Sequence, residues 1–405
     1  MPLYRKHVAQ DLENKRSEFE GKSVQDEVIE EYRQAATSAT TDYTKTEIEE
    51  ELADYTLPGA LPTEELNEQD GLIVPFEDSK DWESHEAVND WARSHLENTT
   101  TIAADGSQID PVTEFEQPVA LVQAVWMANN HTIDGDYQRG VETEVLTPED
   151  LLYEDPESGH ILIDDEETSL TRFESEMEVL ANRIEEHSED ETPPVVMYDG
   201  PLILSFAQMF NDSTQKRYIE SLAKVLAASK HHKVPVVGYT AGSKASDLAK
   251  MLESLELADT NVTLRDYQVL NEFMENWGDR SIIFNSRRDN SLNWLTATYR
   301  GESYDFSEDI LFTYLNIGPG PQMDRVDFPR WIYREGLVDH VLSALRAECG
   351  IGRGYPEILQ AVDADAVISK QEREEFLRMF QDFSNEHNID IKWDSKALSK
   401  KRRRR

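Results

Sequence analysis

The architecture of this chain is best understood from the run Val195-Val196-Met197-Tyr198-Asp199-Gly200-Pro201-Leu202. Its apolar part is continuous, which is typical of a central β-strand that is buried on both faces. Asp199 stands at the end of this strand, and Gly200 allows another backbone or a ligand to approach it closely. Residues 202–210 have a helical pattern, so we do not expect a returning hairpin strand.

A second Asp-Gly pair ends another apolar run, Thr101-Ile102-Ala103-Ala104-Asp105-Gly106-Ser107. If the two predicted strands lie side by side, Asp105 and Asp199 meet and can share divalent cations. Asp-Gly is also the commonest two-residue hairpin turn. Asp134-Gly135 lies in a polar stretch and fits that ordinary interpretation.

The order of the predicted elements indicates the fold class. Strands with short connections come first, which favours antiparallel neighbours, and strands that alternate with helices follow. This order predicts an α/β fold with a ribonuclease-H-like mixed sheet flanked by helices and an N-terminal helical arm. We predict an arm and linker at 1–98, with a helix at 8–35 and a turn-rich linker at 57–62, one domain at 99–390, and a basic tail at 391–405. The predicted strands are 101–105, 118–127, 141–146, 160–163 (an edge strand), 195–199, 234–239, 282–285, 294–298, 310–315 and 328–332.

The chain has 405 residues and a formal net charge of −41, yet 39% of it is hydrophobic. This amount of apolar material supports a sizeable core, so a disordered acidic chain is excluded. Acidic residues spread over the whole chain are typical of proteins from a salt-rich cytoplasm. At molar salt the Debye length is about 3 Å, so the acidic surface does not exclude DNA as a partner.

Removing salt is expected to lower the melting temperature, because unscreened self-repulsion destabilises a compact state of such high charge. Circular dichroism melts in molar KCl and after dialysis into dilute buffer measure this effect. Identical melting curves in the two solutions would contradict the expectation.

Cys349 is the single cysteine, so intrachain disulfides and cysteine-based zinc sites are excluded. The first residues do not have the pattern of a signal peptide, and no apolar run approaches the ~18 residues of a membrane span. We therefore expect a soluble, cytoplasmic protein.

Carboxylates without cysteine or paired histidine favour magnesium or manganese as the bound metal. Two such ions stabilise both the attacking and the leaving oxygen of a phosphodiester. A third carboxylate is expected on the predicted helix 169–186, whose buried stripe contains Phe173, Met177, Leu180 and Ile184. At ~100° per residue, Glu176 lies closest to that stripe, Glu174 next and Glu178 well outside it. The alternative is a solvated face of a glutamate-rich helix.

Three motifs in order resemble those of the NurA nucleases over roughly residues 95–385. They are Ala103-Ala104-Asp105-Gly106-Ser107, Val196-Met197-Tyr198-Asp199-Gly200-Pro201-Leu202 and Gly354-Tyr355-Pro356-Glu357-Ile358-Leu359. The resemblance implies a manganese-dependent DNA nuclease with 5′–3′ exonuclease and single-strand endonuclease activity. It also implies a homodimer that works with a hexameric HerA-type ATPase to resect DNA double-strand breaks for homologous recombination.

By position, the resemblance makes Asp105, Glu176 and Asp199 metal ligands, with Glu174 as an alternative to Glu176. Tyr355 matches the active-site tyrosine, which orients water or phosphate through its hydroxyl. Many family members have a histidine eight residues later, where this chain has Asp363. An aspartate can still bind the metal but is a poorer proton donor at neutral pH.

Lys244, in Gly242-Ser243-Lys244, matches a region in which the family has a basic residue and is a candidate contact to the scissile phosphate. The departure at Asp363 motivates a second hypothesis, a catalytically weak ribonuclease-H-like scaffold that recruits a DNA-translocating ATPase. An ATP-driven motor is disfavoured, because the chain has no Gly-x4-Gly-Lys-Ser/Thr loop.

Overall fold

The computed structural model describes residues 4–16, 23–78, 82, 84–112, 115, 117–132, 135, 137–155, 158–164, 166–318 and 320–389. The predicted basic tail and Asp134 lie outside the described residues. The chain divides into two compact units. The first contains 1–77, 242–288 and 313–323, and the second contains 78–241, 289–312 and 324–405.

The elements of the described residues are numbered in chain order. The α-helices are α1 (Arg5–Asn14), α2 (Ser23–Thr41), α3 (Lys45–Glu51), α4 (Glu65–Glu68), α5 (His85–Leu96), α6 (Pro148–Leu151), α7 (Glu167–Glu186), α8 (Asp212–His232), α9 (Asp247–Ser254), α10 (Asp266–Leu270), α11 (Arg330–Arg334), α12 (Val338–Ile351), α13 (Glu357–Ala366) and α14 (Lys370–Glu386). Short 3₁₀ helices span Ser205–Met209 and Asn290–Trp294.

The strands are β1 (Gly59–Pro62), β2 (Ile73–Val74), β3 (Thr101–Ile109), β4 (Ala120–Asn129), β5 (Tyr137–Leu146), β6 (Leu152–Glu154), β7 (Ile161–Ile163), β8 (Val195–Asp199), β9 (Val236–Thr240), β10 (Arg280–Ser281), β11 (Phe284–Arg287), β12 (Thr296–Tyr299), β13 (Glu302–Asp305), β14 (Ile310–Leu315) and β15 (Asp324–Pro329).

The second unit contains strands of a large mixed sheet in the order β15-β9-β8-β3-β4-β5. β3, β8 and β9 are parallel neighbours, whereas β3, β4 and β5 form an antiparallel meander and β15 pairs antiparallel with β9. The sheet is flanked by helices, which confirms the predicted α/β, ribonuclease-H-like class. The first unit supplies the predicted N-terminal helical region, in which Tyr32, Ala35, Ala36 and Ala39 form the buried face of α2.

The main core of the second unit lies between this sheet and helices α7 and α8. Phe173, Met177, Leu180 and Ile184 of α7 are buried there, as their helical spacing predicts. Burying each such side chain contributes on the order of 1.5–3 kcal/mol. Helix α13 packs against β3 and β4, where Gln123 Nε2 donates to the carbonyl of Ala366 at 2.9 Å. Helices α7 and α13 thereby pack on β3, which has Asp105 at its middle, next to β8, which Asp199 ends.

Several local predictions differ from the structure. The strand predicted at 101–105 continues to Ile109, so Asp105 lies within β3 and does not end it. Residues 59–62, predicted as a linker, form β1, in which Ala60 is buried and pairs with Ser286 of β11. The strand predicted at 328–332 ends at Pro329, the N-cap position of α11, because proline suits the start of a helix better than a ladder. Residues 161–163 pair with β6 in a separate small sheet and add no edge to the large one.

Candidate active site

Asp105 and Asp199 lie at the same level on neighbouring parallel strands. In the register of β3 and β8, Ala103 stands opposite Met197, and each aspartate follows two residues later. Two residues restore the same face of a strand, so the two carboxylates share one face. Burial raises the pKa of Asp105, and the charges of Asp363 and Asp199 raise it further. The structure thus brings together the two aspartates that are 94 positions apart, as the register of Ile102 with Val196 shows.

Glu176 approaches β3 from helix α7. Its side chain is buried and lies over Gly106, where an added Cβ would be 2.8 Å from Arg172 Cγ and still nearer to Glu176 Oε1. Burial raises the pKa of Glu176 to about 7, the Arg172 charge opposes this rise, and the Asp105 charge adds to it. The absence of a side chain at Gly106 is therefore what allows the Glu176 carboxylate to reach the sheet.

The neighbouring glutamates of α7 point elsewhere. Glu174 is bound by Arg217 of α8, with nitrogen–oxygen distances of 2.9 and 2.7 Å, and Glu178 is exposed. Glu176 is thus the most buried of the three glutamates, Glu174 is intermediate and Glu178 is exposed, which is the order that the predicted apolar stripe gives. Of these glutamates, Glu176 is the one whose charge interacts with Asp105.

Tyr355 forms a hydrogen bond with Asp199, although it lies far from Asp199 in the sequence. Its hydroxyl donates a hydrogen bond to the Asp199 carboxylate. Burial has the largest effect on Asp199 and raises its pKa, whereas the bond from Tyr355 lowers it. Burial also raises the pKa of Tyr355, as does the charge of Asp199, so the phenol keeps its proton. The turn before it depends on Gly354, which has a φ of 102° that favours glycine.

Asp363 lies on α13 with its side chain exposed to solvent. Its negative charge is among the causes that raise the pKa values of Asp105, Asp199 and Tyr355. Asp365, two residues on, instead pairs with Arg139 of β5 at 3.0 Å. Helical geometry alone left these two aspartates equivalent, and packing against the sheet distinguishes them.

Lys244 belongs to the first unit, whereas the carboxylates and Tyr355 belong to the second. Its side chain is exposed, and its carbonyl accepts a hydrogen bond from Arg265 at 2.9 Å. Its contact to the scissile phosphate stays a prediction.

Two residues of this region were missed by the sequence analysis. Glu348 of α12 is 1% exposed and accepts hydrogen bonds from the Thr101 hydroxyl at 2.7 Å and the Ile358 N–H at 2.8 Å. It therefore ties the start of β3 to the first turn of α13. Arg172 forms an ion pair with Glu176, and the signal for it was present in the sequence, because residues four apart meet on a helix.

The donor set at this end of the sheet suits a hard divalent cation. Its members are carboxylates, and burial and mutual repulsion raise the pKa values of Asp105, Glu176 and Asp199, which a bound cation would counteract. In the described part of the chain, however, no three His, Cys, Asp or Glu side chains form a group that could hold a metal ion. The chemistry of these donors nevertheless fits a hard divalent metal.

A ribonuclease-H-like sheet with carboxylates on adjacent strands, Asp105 within β3 and Asp199 at the end of β8, is an arrangement that suits metal-assisted phosphodiester hydrolysis. Comparison with known families specifies the class further, because the family model described as the NurA domain matches residues 99–368. This match covers more than half of the chain, which therefore belongs to the NurA family. The family comprises nucleases that act on DNA in end processing and that are generally metal-dependent. No curated protein matches the chain.

Among the residues that the structure describes, none of the helices is both long enough and apolar enough to cross a bilayer.

Gly106→Ala is expected to disturb the candidate site, because the new methyl group would meet both Arg172 and Glu176 at less than van der Waals distance. Overpacking of this kind costs about 1–3 kcal/mol of stability and would push Glu176 away from β3. Urea unfolding and metal-dependent DNA cleavage measure the two effects. Gly320→Ala offers a comparison at a glycine with nothing within 4 Å and without a positive φ. Equal cleavage by the Gly106→Ala variant and the wild type would contradict the expectation.

Proposed function

We propose that this chain is a metal-dependent deoxyribonuclease that resects the ends of DNA double-strand breaks. Membership of the NurA family supports the substrate class and the reaction. The observation that carries the proposal is the placement of Asp105 and Asp199 at one level of neighbouring parallel strands. There the charge of Asp363 raises the pKa values of both, and the charge of Asp105 raises that of Glu176.

Asp105, Glu176, Asp199 and Asp363 would hold two manganese or magnesium ions. When bound, such ions stabilise the attacking and leaving oxygens of the phosphodiester. The chain's own contribution is to keep these carboxylates in one place on rigid strands and helices. Burial raises the pKa of Glu176 to about 7, so its carboxyl group must lose a proton before it can bind a cation. Because water is excluded around it, the ionised carboxylate is then available to the cation.

Tyr355 would orient a water molecule or a phosphate oxygen through its hydroxyl. The bond to Asp199 positions that hydroxyl, and its raised pKa keeps it a hydrogen-bond donor. Asp363 would act as a metal ligand in place of the family histidine, since an ionised carboxylate is a poor proton donor at neutral pH. Lys244 remains the candidate cation for the scissile phosphate.

We further propose that the protein is a cytoplasmic homodimer that works with a hexameric HerA-type ATPase in homologous recombination. The resemblance of the motifs supports these partners. The net charge of −41 supports action in a salt-rich cytoplasm, where the short screening length removes the repulsion between an acidic protein and DNA. Cleavage as a 5′–3′ exonuclease and as a single-strand endonuclease belongs to the same proposal.

A cleavage assay in molar KCl tests the proposal. End-labelled linear duplex and single-stranded DNA are incubated with the protein and Mn²⁺, Mg²⁺ or EDTA, with and without the ATPase. We expect loss of the 5′ label and shortening of the strands with Mn²⁺, and intact DNA with EDTA. Cleavage that persists in EDTA would contradict metal dependence.

The departure at Asp363 favours one other candidate, a catalytically weak scaffold that recruits the ATPase. This second function predicts stable binding to the ATPase without cleavage under any of these conditions. Asp363→His distinguishes the two possibilities further, because a gain of cleavage in that variant alone would show that the family histidine is needed. Cleavage by the unaltered chain contradicts the scaffold.

A further inference from the structure

Arg172 lies beside the candidate active site without a role in the proposal above. It is one helical turn before Glu176 on α7, and its Nη1 donates to Glu176 Oε1 and, at 3.4 Å, to the carbonyl of Gly106. Its Nε donates to Gln108 Oε1 at 3.1 Å. The guanidinium group therefore spans from the buried carboxylate to the backbone and side chains of β3, immediately after Asp105.

The guanidinium group is satisfied on one side only. The Arg172 side chain is 32% exposed, whereas that of Glu176 is 6% exposed. Within the described residues, Nη1 and Nε make all three hydrogen bonds of the guanidinium group, and Nη2 makes none. The N–H groups of Nη2 are free to bind a further acceptor from the solvent side.

The charge of Arg172 is placed where an anionic substrate would need it. It lowers the pKa values of both Asp105 and Glu176, against the larger effect of burial. A phosphate that approaches these carboxylates meets repulsion unless a cation compensates. Arginine suits this task better than lysine, because its planar donors match two oxygens of one phosphate and its charge does not depend on pH.

We propose that Arg172 binds a backbone phosphate of DNA at the candidate active site, through Nη2 on the solvent side, while Nη1 holds Glu176. The inference rests on the proposed function, since it names a contact to the substrate of that site. Both contacts are compatible because they use different nitrogens of one rigid group. Arg172 is thereby both a positioning residue for Glu176 and a substrate-binding residue.

Arg217 of α8 provides a matched control. It also binds glutamates of α7, but its three nitrogens are all used, by Glu167 and Glu174, at 2.7–2.9 Å. An arginine that serves only to hold helices together has this pattern. Arg217→Gln removes such a structural pair and leaves Arg172 in place.

The test measures DNA affinity by fluorescence anisotropy, with Ca²⁺ in place of Mn²⁺ so that the DNA stays intact. The DNA is a short labelled duplex with a single-stranded end. Arg172→Gln is expected to weaken binding about 10-fold, the loss that one charge-assisted hydrogen bond gives. Arg217→Gln is expected to change it by less than about twofold. Binding of Mn²⁺ alone, followed by calorimetry, should keep its stoichiometry in Arg172→Gln.

A phosphate scan separates a substrate contact from a structural effect. Single methylphosphonates, which are neutral, replace the phosphates of the labelled strand one at a time. At one position, the methylphosphonate should weaken DNA binding by the wild type. At that same position it should cause no further loss of affinity in Arg172→Gln. If both proteins give the same profile, or if Arg172→Gln binds as Arg217→Gln does, the inference is wrong.

Failure of the proposed function would be visible separately. A wild type that never cleaves DNA with Mn²⁺ contradicts the nuclease, whereas the anisotropy profile still decides the phosphate contact. Arg172→Lys covers the case in which the glutamine variant does not fold. It keeps the charge but loses the planar fork, so the sensitivity of that single position to the methylphosphonate should be reduced but not abolished.

Discussion

Asp199→Asn is expected to lower metal-dependent DNA cleavage by about 10²- to 10³-fold, the range found when one group that stabilises transition-state charge is removed. The amide has the shape of the carboxylate and can still accept from the Tyr355 hydroxyl, but it has no charge for a divalent cation. Because burial already raises the pKa of Asp199, loss of the charge should not destabilise the fold. Cleavage rates and melting temperatures are measured on the same preparations.

Asp365→Asn is the control for this experiment. Asp365 pairs with Arg139 near the surface and lies two residues after Asp363 on the same helix. Its loss should leave cleavage within about twofold of the wild type, because exposed ion pairs contribute little. Asp105→Asn should behave like Asp199→Asn. Cleavage retained by either active-site variant would exclude the shared metal site from the mechanism.

Glu176→Gln is expected to stabilise the metal-free protein by up to about 3 kcal/mol at alkaline pH while it abolishes cleavage. The reason is the pKa of Glu176, which is about 7 in the folded protein against an ordinary value of 4.5. Below the ordinary value the carboxyl is protonated in both states and has no effect. As the pH rises to about 7, the unfolded chain releases its proton first, and the free energy of unfolding falls.

Urea unfolding in EDTA from acidic to alkaline pH measures this difference between wild type and variant. The two curves should coincide near the ordinary pKa, separate towards neutral pH and run parallel above it. Glu174→Gln is the matched control, since Glu174 is on the same helix but pairs with Arg217. Manganese should stabilise the wild type more than the variant, because it binds the folded carboxylate. A constant difference at every pH would show that burial of the charge is not the cause.

The sequence predicted those features of the candidate site that depend on local patterns. Asp105 and Asp199 stood out because each follows an apolar run and precedes a glycine. Asp199 ends β8 as predicted, whereas β3 continues past Asp105 to Ile109. Glu176 was distinguished from Glu174 and Glu178 by helical geometry, and burial in the structure follows that order. The predicted fold class is confirmed for the same reason, since the order of strands and helices fixes the neighbours of a mixed sheet.

What depended on contacts between distant segments could not be predicted. Asp363 and Asp365 flank the same helix face, and contacts with distant segments separate them. Asp365 pairs with Arg139 of β5, whereas the charge of Asp363 acts on Asp105 and Asp199. β1 was predicted as a linker because Pro58 and Gly59 precede a very short run, whose partner strand comes more than 200 residues later. Such pairings leave no periodic signal in either segment.

The bond from Glu348 to Thr101 joins positions that are 247 residues apart in the chain. During synthesis, at roughly 5–20 residues per second, the ribosome delivers the first aspartate many seconds before the helices that support it. The nascent chain therefore carries Asp105, Glu176 and Asp199 well before it carries Glu348 of α12 and Asp363 of α13.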